Sequence, residues 1–228
     1  MNRRFSSFLF MVLLFIGGPR LHAGDVLDRI VATVNGHIIL QSDWQGAISY
    51  AALVDGRTVD QISSSERKAA LDRLIDQELL IEQMHSADIP HASNDEIATR
   101  IQEIRKQYPQ ARDDQGWENL LAQYGLAEQE FDERVALQVN LDRLVDRRLR
   151  PGIDIDAGSI ERYYNQELLP QLRQSGAGDV ALAEVTPKIK ELLTQQKMNE
   201  LLVAWLQNLR SGSEIQTEAA PEARDGLR

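Results

Sequence analysis

The sequence predicts a mainly α-helical chain with one small β-hairpin near its start and a short strand near its end. Three observations carry this. Apolar residues recur at three- and four-residue spacing over most of the stretch from Asp43 to Arg210. Helix-stopping Gly and Pro residues punctuate that stretch at Asp55-Gly56, Ile89-Pro90, Pro109, Gly125, Pro151-Gly152 and Gly212. Period-two alternation, by contrast, brackets Asn35-Gly36.

The elements follow in order. Ile30, Ala32 and Val34 alternate with Val31, Thr33 and Asn35, and His37 to Leu40 reads as a return strand. Asn35-Gly36 predicts a type I′ turn, which needs positive φ at both central residues. Ser42 or Asp43 is then placed to cap a helix beginning near Trp44 and running to Val54. Ser63 to Ser65 cap a long helix whose stripe is Leu71, Leu74 and Ile75, with Leu79 to Ile81 adding a second apolar face. Ile89-Pro90 is expected to stop it.

Ser93 to Glu96 reads as a capping box opening a helix through Ile101 and Ile104. A short helix around Trp117 to Tyr124 is expected to stop at Gly125, with Asp113 and Asp114 solvated in the loop before it. The next long helix carries Phe131, Val135, Val139, Leu144 and Leu149. A short helix is expected from about Ala157, then a flexible linker at about 173–182. The last helix opens near Glu184, with Pro187 in its first turn and a stripe from Val185 to Leu209 that includes Leu202. Ser213 to Gln216 is a strand-like segment, and two strands alone are marginal, so it is a candidate third strand beside the hairpin. Residues 217–228 read as a disordered tail.

Composition bounds function. Arg3 and Arg4 precede an apolar run from Phe5 to Gly18, and Ala23 follows at a plausible cut site. The pattern predicts an export leader over 1–23, since the run is short of the roughly 20 residues a spanning helix needs. The expectation is therefore an exported chain, 24–216, with no stable membrane insertion once the leader is removed. The formal charge is −10, and it becomes three units more negative without Arg3, Arg4 and Arg20. Such a chain repels phosphates and is a poor nucleic-acid binder. Cys is absent, which removes disulfides, a thiolate nucleophile and thiolate metal sites.

No catalytic constellation emerges. His37 follows the turn, and His85 and His91 flank the Ile89-Pro90 break at a spacing that is no ligand motif. Ser42, Ser65 and Ser93 sit where caps belong, and no Gly-rich phosphate loop is present. No cofactor or metal is expected.

Four motifs in order resemble the SurA-like periplasmic chaperone family. Asp28 to Asp43 resembles its opening hairpin, V-A-x-V-N-x-x-x-I-x-x-S-D. "ALDRLIDQELLIEQ" is similar to its leucine-rich helix, "YGLAEQEFDERV" to the opening of its next long helix, and "QQKMNELLVAWLQNLRSGSEI" to its C-terminal helix and strand. The resemblance implies a helical SurA-like, trigger-factor-like peptide-binding module in which hairpin and C-terminal strand share one sheet. It implies unfolded outer-membrane β-barrel proteins, or other exported polypeptides, as partners, held without ATP. Relatives carry parvulin prolyl isomerase domains between the "YY" region and the C-terminal helix. Here Tyr164 and Glu184 are too close for one, so the expectation is a non-enzymatic holdase.

For binding, Trp44, Tyr50, Met84, Tyr108, Trp117 and Tyr124 are the candidates for an apolar groove, although any one of them taken singly reads more simply as a core residue. Two other readings stay open: a helical scaffold with one fixed partner in a cell-envelope complex, and, less favoured, a prolyl isomerase.

Overall fold

The computed structural model describes residues 28–85, 90–176 and 178–218; the predicted leader, the Ile89 half of the Ile89-Pro90 stop and the tail from Ala219 lie outside them. The architecture is mainly helical, with a three-stranded antiparallel sheet of order β2-β1-β3. Strand β1 (Ile30–Val34) turns through Asn35 (φ +49°) and Gly36 (φ +87°) into β2 (His37–Leu40), as a type I′ turn requires. Strand β3 (Ile215–Thr217) pairs with the other edge of β1.

Simple alternation does not survive in β1. The register slips between Ile30 and Ala32, so Val31, Ala32 and Val34 are all buried. A bulge adds one residue to a strand and turns the side chains beyond it to the other face. β3 also sits slightly later than Ser213 to Gln216, and Glu218 still donates to Val31 C=O at 3.0 Å. The tail expected from residue 217 therefore begins, at the earliest, after Glu218.

Helix α1 (Gln41–Val54) grows directly out of β2, earlier than Trp44. Asp43 does not stand outside the helix as its cap. It lies within the first turn and accepts from Leu40 N–H at 2.8 Å, while Ser42 bonds Asp28. Helix α2 (Ser64–His85) and α3 (Asn94–Arg105) open with capping boxes, Ser63 with Glu66 and Ser93 with Glu96.

Helix α4 (Asp114–Gln123) begins earlier than expected, and its two acids are not merely solvated. Asp113 is the N-cap, accepting from Gly116 N–H at 2.7 Å, and Asp114 pairs with Arg105 at 3.3 Å. Gly125, at φ +68°, ends this helix. Helix α5 (Glu128–Leu149) follows and lies against α2 and α3.

Helix α6 (Ala157–Tyr163) runs on through a π turn at 164–168 into α7 (Leu169–Gln174). The wide turn precedes Pro170, which has no N–H to continue the ordinary ladder. Helix α8 (Leu182–Ser211) starts before Glu184, which leaves Pro187 inside the helix rather than in its first turn. Its apolar stripe is thinly covered: Ile189 and Met198 are buried, but Leu202 is only half-buried.

Buried side chains form three clusters. The sheet, α1 and the middle of α2 enclose Val34, Trp44, Ile48 and Ile75. Leu53 at the end of α1 joins α3, α4 and α5 around Trp117 and Phe131. Leu80, Leu141 and Leu144 make a third, on which Trp205, Leu206 and Leu209 of α8 pack. Among the described residues, no helix is long and apolar enough to cross a membrane.

Candidate functional site

Four helices leave a cleft of about 490 Å³ between them. Each contributes residues at helical spacing, so one face of each helix makes one wall. Helix α1 supplies Ala47, Tyr50, Ala51 and Val54; α2 supplies Ala70, Leu74 and Leu80; α5 supplies Leu137, Leu141 and Val145; α8 supplies Leu202 and Leu206. The two alanines on α1 keep its face low, while leucines line the opposite walls. That difference in side-chain volume is what leaves the hollow unfilled.

The rim is polar. Arg73, Asp76, Gln77, Arg134, Gln138 and Asp142 stand around the opening, with Asp55 at one end. Several are already tied to protein partners. Arg134 pairs with Glu130 at 2.8 Å, Asp76 with Arg210 at 2.6 Å, and Gln138 donates to Asp142 at 2.8 Å. Desolvation beside the cleft raises the Asp142 carboxyl pKa, against the pull of Gln138 and Arg100. Burial likewise raises the Tyr50 hydroxyl. An apolar floor under a rim of paired charges can take in apolar side chains and exclude free ions.

The structure separates the six predicted binding residues. Tyr50 alone lines the cleft, its ring 5.6 Å from Phe131. Trp44 is 4% exposed in the first cluster, and its indole N–H donates to Arg67 C=O at 2.7 Å. Trp117 is 1% exposed, stacked edge-on to Phe131 at 5.1 Å with Arg105 above it. Tyr108 is buried, its hydroxyl bonded to Leu53 C=O, and burial pushes its pKa up. These three are core side chains and present no surface to a ligand. Tyr124 is half-buried between two clusters and donates to Arg57 C=O at 2.8 Å. Met84 is half-buried against Leu80, Leu141 and Leu144, outside the cleft.

Sequence reasoning missed the cleft's aliphatic walls. It favoured aromatics, which in this chain fill the core because they bury the most apolar area per residue. The available signal was the second apolar face on α2, Leu79 to Ile81, which lies beyond the Leu71, Leu74 and Ile75 stripe and includes the cleft residue Leu80. Among the described residues, no group of three His, Asp or Glu side chains could hold a metal ion.

No curated protein matches the sequence. The family model for the SurA-like N-terminal domain matches residues 5–145, and no parvulin domain is detected. That match takes in the hairpin, α1 to α4 and most of α5, the elements that build three walls of the cleft. The chain belongs to the SurA-like N-terminal domain family.

Proposed function

We propose that this protein is an ATP-independent holdase of the periplasm that binds short apolar segments of unfolded outer-membrane β-barrel proteins. The cleft between α1, α2, α5 and α8 carries this reading. It is large enough for a few aliphatic or aromatic side chains, and its walls offer no fixed polar partners that would demand one sequence. Membership of the SurA-like family supports a polypeptide ligand. The leader-like pattern of Arg3, Arg4 and the run from Phe5 to Gly18 supports export. Shallow apolar contacts favour fast release, since most affinity differences lie in the off-rate.

Filling the cleft tests it. Ala51→Trp places a large ring on the low α1 wall and leaves the three core clusters intact. The purified chain should slow aggregation of several unrelated unfolded barrel proteins at near-stoichiometric amounts. Ala51→Trp should lose most of that effect while keeping its melting temperature. A filled cleft that still holds clients would sink the cleft reading. Protection of none of the clients, with tight capture of one envelope protein, would favour a fixed scaffold instead. The slow phase of a prolyl peptide, roughly 10–100 s at 25 °C, should be unchanged by catalytic amounts of the chain.

A further inference from the structure

Asn35 does more than set the hairpin turn. Its side-chain nitrogen donates to both Glu82 carboxylate oxygens, at 3.0 and 2.9 Å, and to Ser213 Oγ at 3.2 Å. Its side-chain oxygen accepts from Glu214 N–H at 2.8 Å, and its own N–H donates to Glu214 C=O at 2.8 Å. One exposed side chain thus ties the hairpin to α2 and to the segment leading into β3. The residue after it is Gly36, where nothing lies within 4 Å of the position a Cβ would take.

An Asn followed by Gly is the dipeptide in which the next backbone nitrogen meets least steric resistance when it attacks the side-chain carbonyl. We propose that Asn35-Gly36 is a spontaneous deamidation site which the closed clasp protects, and whose product cannot rebuild the clasp. In the reaction the Gly36 nitrogen loses its proton to solvent base and bonds to Asn35 Cγ. The bond from Cγ to Nδ2 breaks, and the nitrogen leaves as ammonia after taking up a proton. Water then opens the cyclic imide to Asp, or to isoaspartate with the backbone rerouted through the side chain.

Two features of the site give this consequence. While the clasp is closed, both ends of the amide are held by Glu82, Ser213 and Glu214, so the side chain is not free to swing toward the Gly36 nitrogen. After reaction, a donor that faced two Glu82 oxygens is replaced by a second carboxylate, and attraction becomes like-charge repulsion. Isoaspartate also lengthens the backbone at the one turn that needs positive φ at both residues. Loosening this corner frees β3 and the end of α8, the helix that carries Leu202 and Leu206 of the cleft wall. The inference stands apart from polypeptide binding, because its readouts are mass and melting.

The test uses the full chain, incubated at mildly alkaline pH, with peptide mapping for Asp and isoaspartate at position 35. A synthetic peptide covering Thr33 to Ile38 gives the unprotected rate. The wild-type chain should react many-fold more slowly than the peptide. A Glu82→Ala/Ser213→Ala chain should react several-fold faster than wild type. Its melting curve, taken alongside, shows whether it is folded at the incubation temperature; if it is not, Ser213→Ala alone takes its place. Wild type reacting at the peptide's rate, or a folded clasp variant reacting no faster than wild type, overturns the protection. For the product, Asn35→Asp should melt below wild type at neutral pH, and adding Glu82→Gln should restore part of the loss. An Asn35→Asp chain that melts with its parent, or one that Glu82→Gln leaves unimproved, overturns the consequence.

Discussion

At the residue scale, single short-range contacts decide much of this protein. A Cβ at Gly116 would lie 2.2 Å from the Gln110 carbonyl oxygen and 2.9 Å from Asp113 Oδ1. The first contact is backbone and cannot swing aside. Gly116→Ala should therefore cost about 1–3 kcal/mol despite the better helix propensity of Ala, read as a drop in denaturation midpoint at constant slope. An unchanged midpoint would show that the 109–111 turn yields. Glu96 sets a second prediction. Its carboxyl is lowered from the usual 4.5 to about 2 by the Ser93 backbone N–H first, then the Ser93 hydroxyl, then Arg143. A depressed carboxylate stabilises the fold fully above about pH 4.5 and loses that contribution as pH falls toward about 2. Glu96→Gln should flatten the stability curve in that window and leave its shape above pH 5 unchanged, which acid titrations of both chains would reveal. Glu66, capped by Ser63 and paired with Arg57, acts in the same window and keeps part of the slope.

At the element scale, α8 shows why a stripe is not a burial map. Its apolar positions run on past the surface available to cover them, so only some are core. Leu209 packs on two clusters, beside the Arg210–Asp76 ion pair at 2.6 Å. Leu202 lies four positions before Leu206 on the cleft wall, and Val203 is 55% exposed. Leu209→Ala removes a half-buried side chain that two clusters share, and should cost about 2 kcal/mol, the low end of the Leu→Ala range. Leu202→Ala should cost about 1 kcal/mol, since its side chain is as half-buried as that of Leu209 but packs on none of the three clusters. Equal losses at the two positions, measured by thermal unfolding, would mean that the cleft is closed in solution.

At the scale of the whole molecule, the two ends of the described chain meet. β3 completes the sheet begun by the hairpin, Asn35 grips Glu214, and α8 covers Leu80, Leu141 and Leu144. A chain ending at Gln174 loses all of these. It should expose the β1 edge and the third cluster, bind a hydrophobic dye and lose its sharp melt. A truncated chain that keeps the parent's melting temperature and cooperativity would show that α8 and β3 contribute nothing to the rest.

The sequence by itself determined whatever rests on contacts a few residues apart. The Asn35-Gly36 turn, the serine cap at Ser63, the Ser93–Glu96 capping box and the Gly125 stop were legible because each is a local hydrogen bond or a local φ requirement. The pairing of the last strand with the hairpin was a candidate from the strand-like Ser213 to Gln216, and the family motifs pointed the same way. Only the tertiary structure decided which apolar residues are core and which line a surface. Trp44, Tyr108 and Trp117 fell inside, Tyr50 fell on the cleft, and Ala47 and Ala51 acquired a role no pattern marks. It also decided that Asn35 is a clasp as well as a turn, through partners 47 to 179 residues away. The physical reason is the same in each case. Periodicity states that a helix has an apolar face, but what covers that face depends on the volumes and positions of side chains brought from distant parts of the chain.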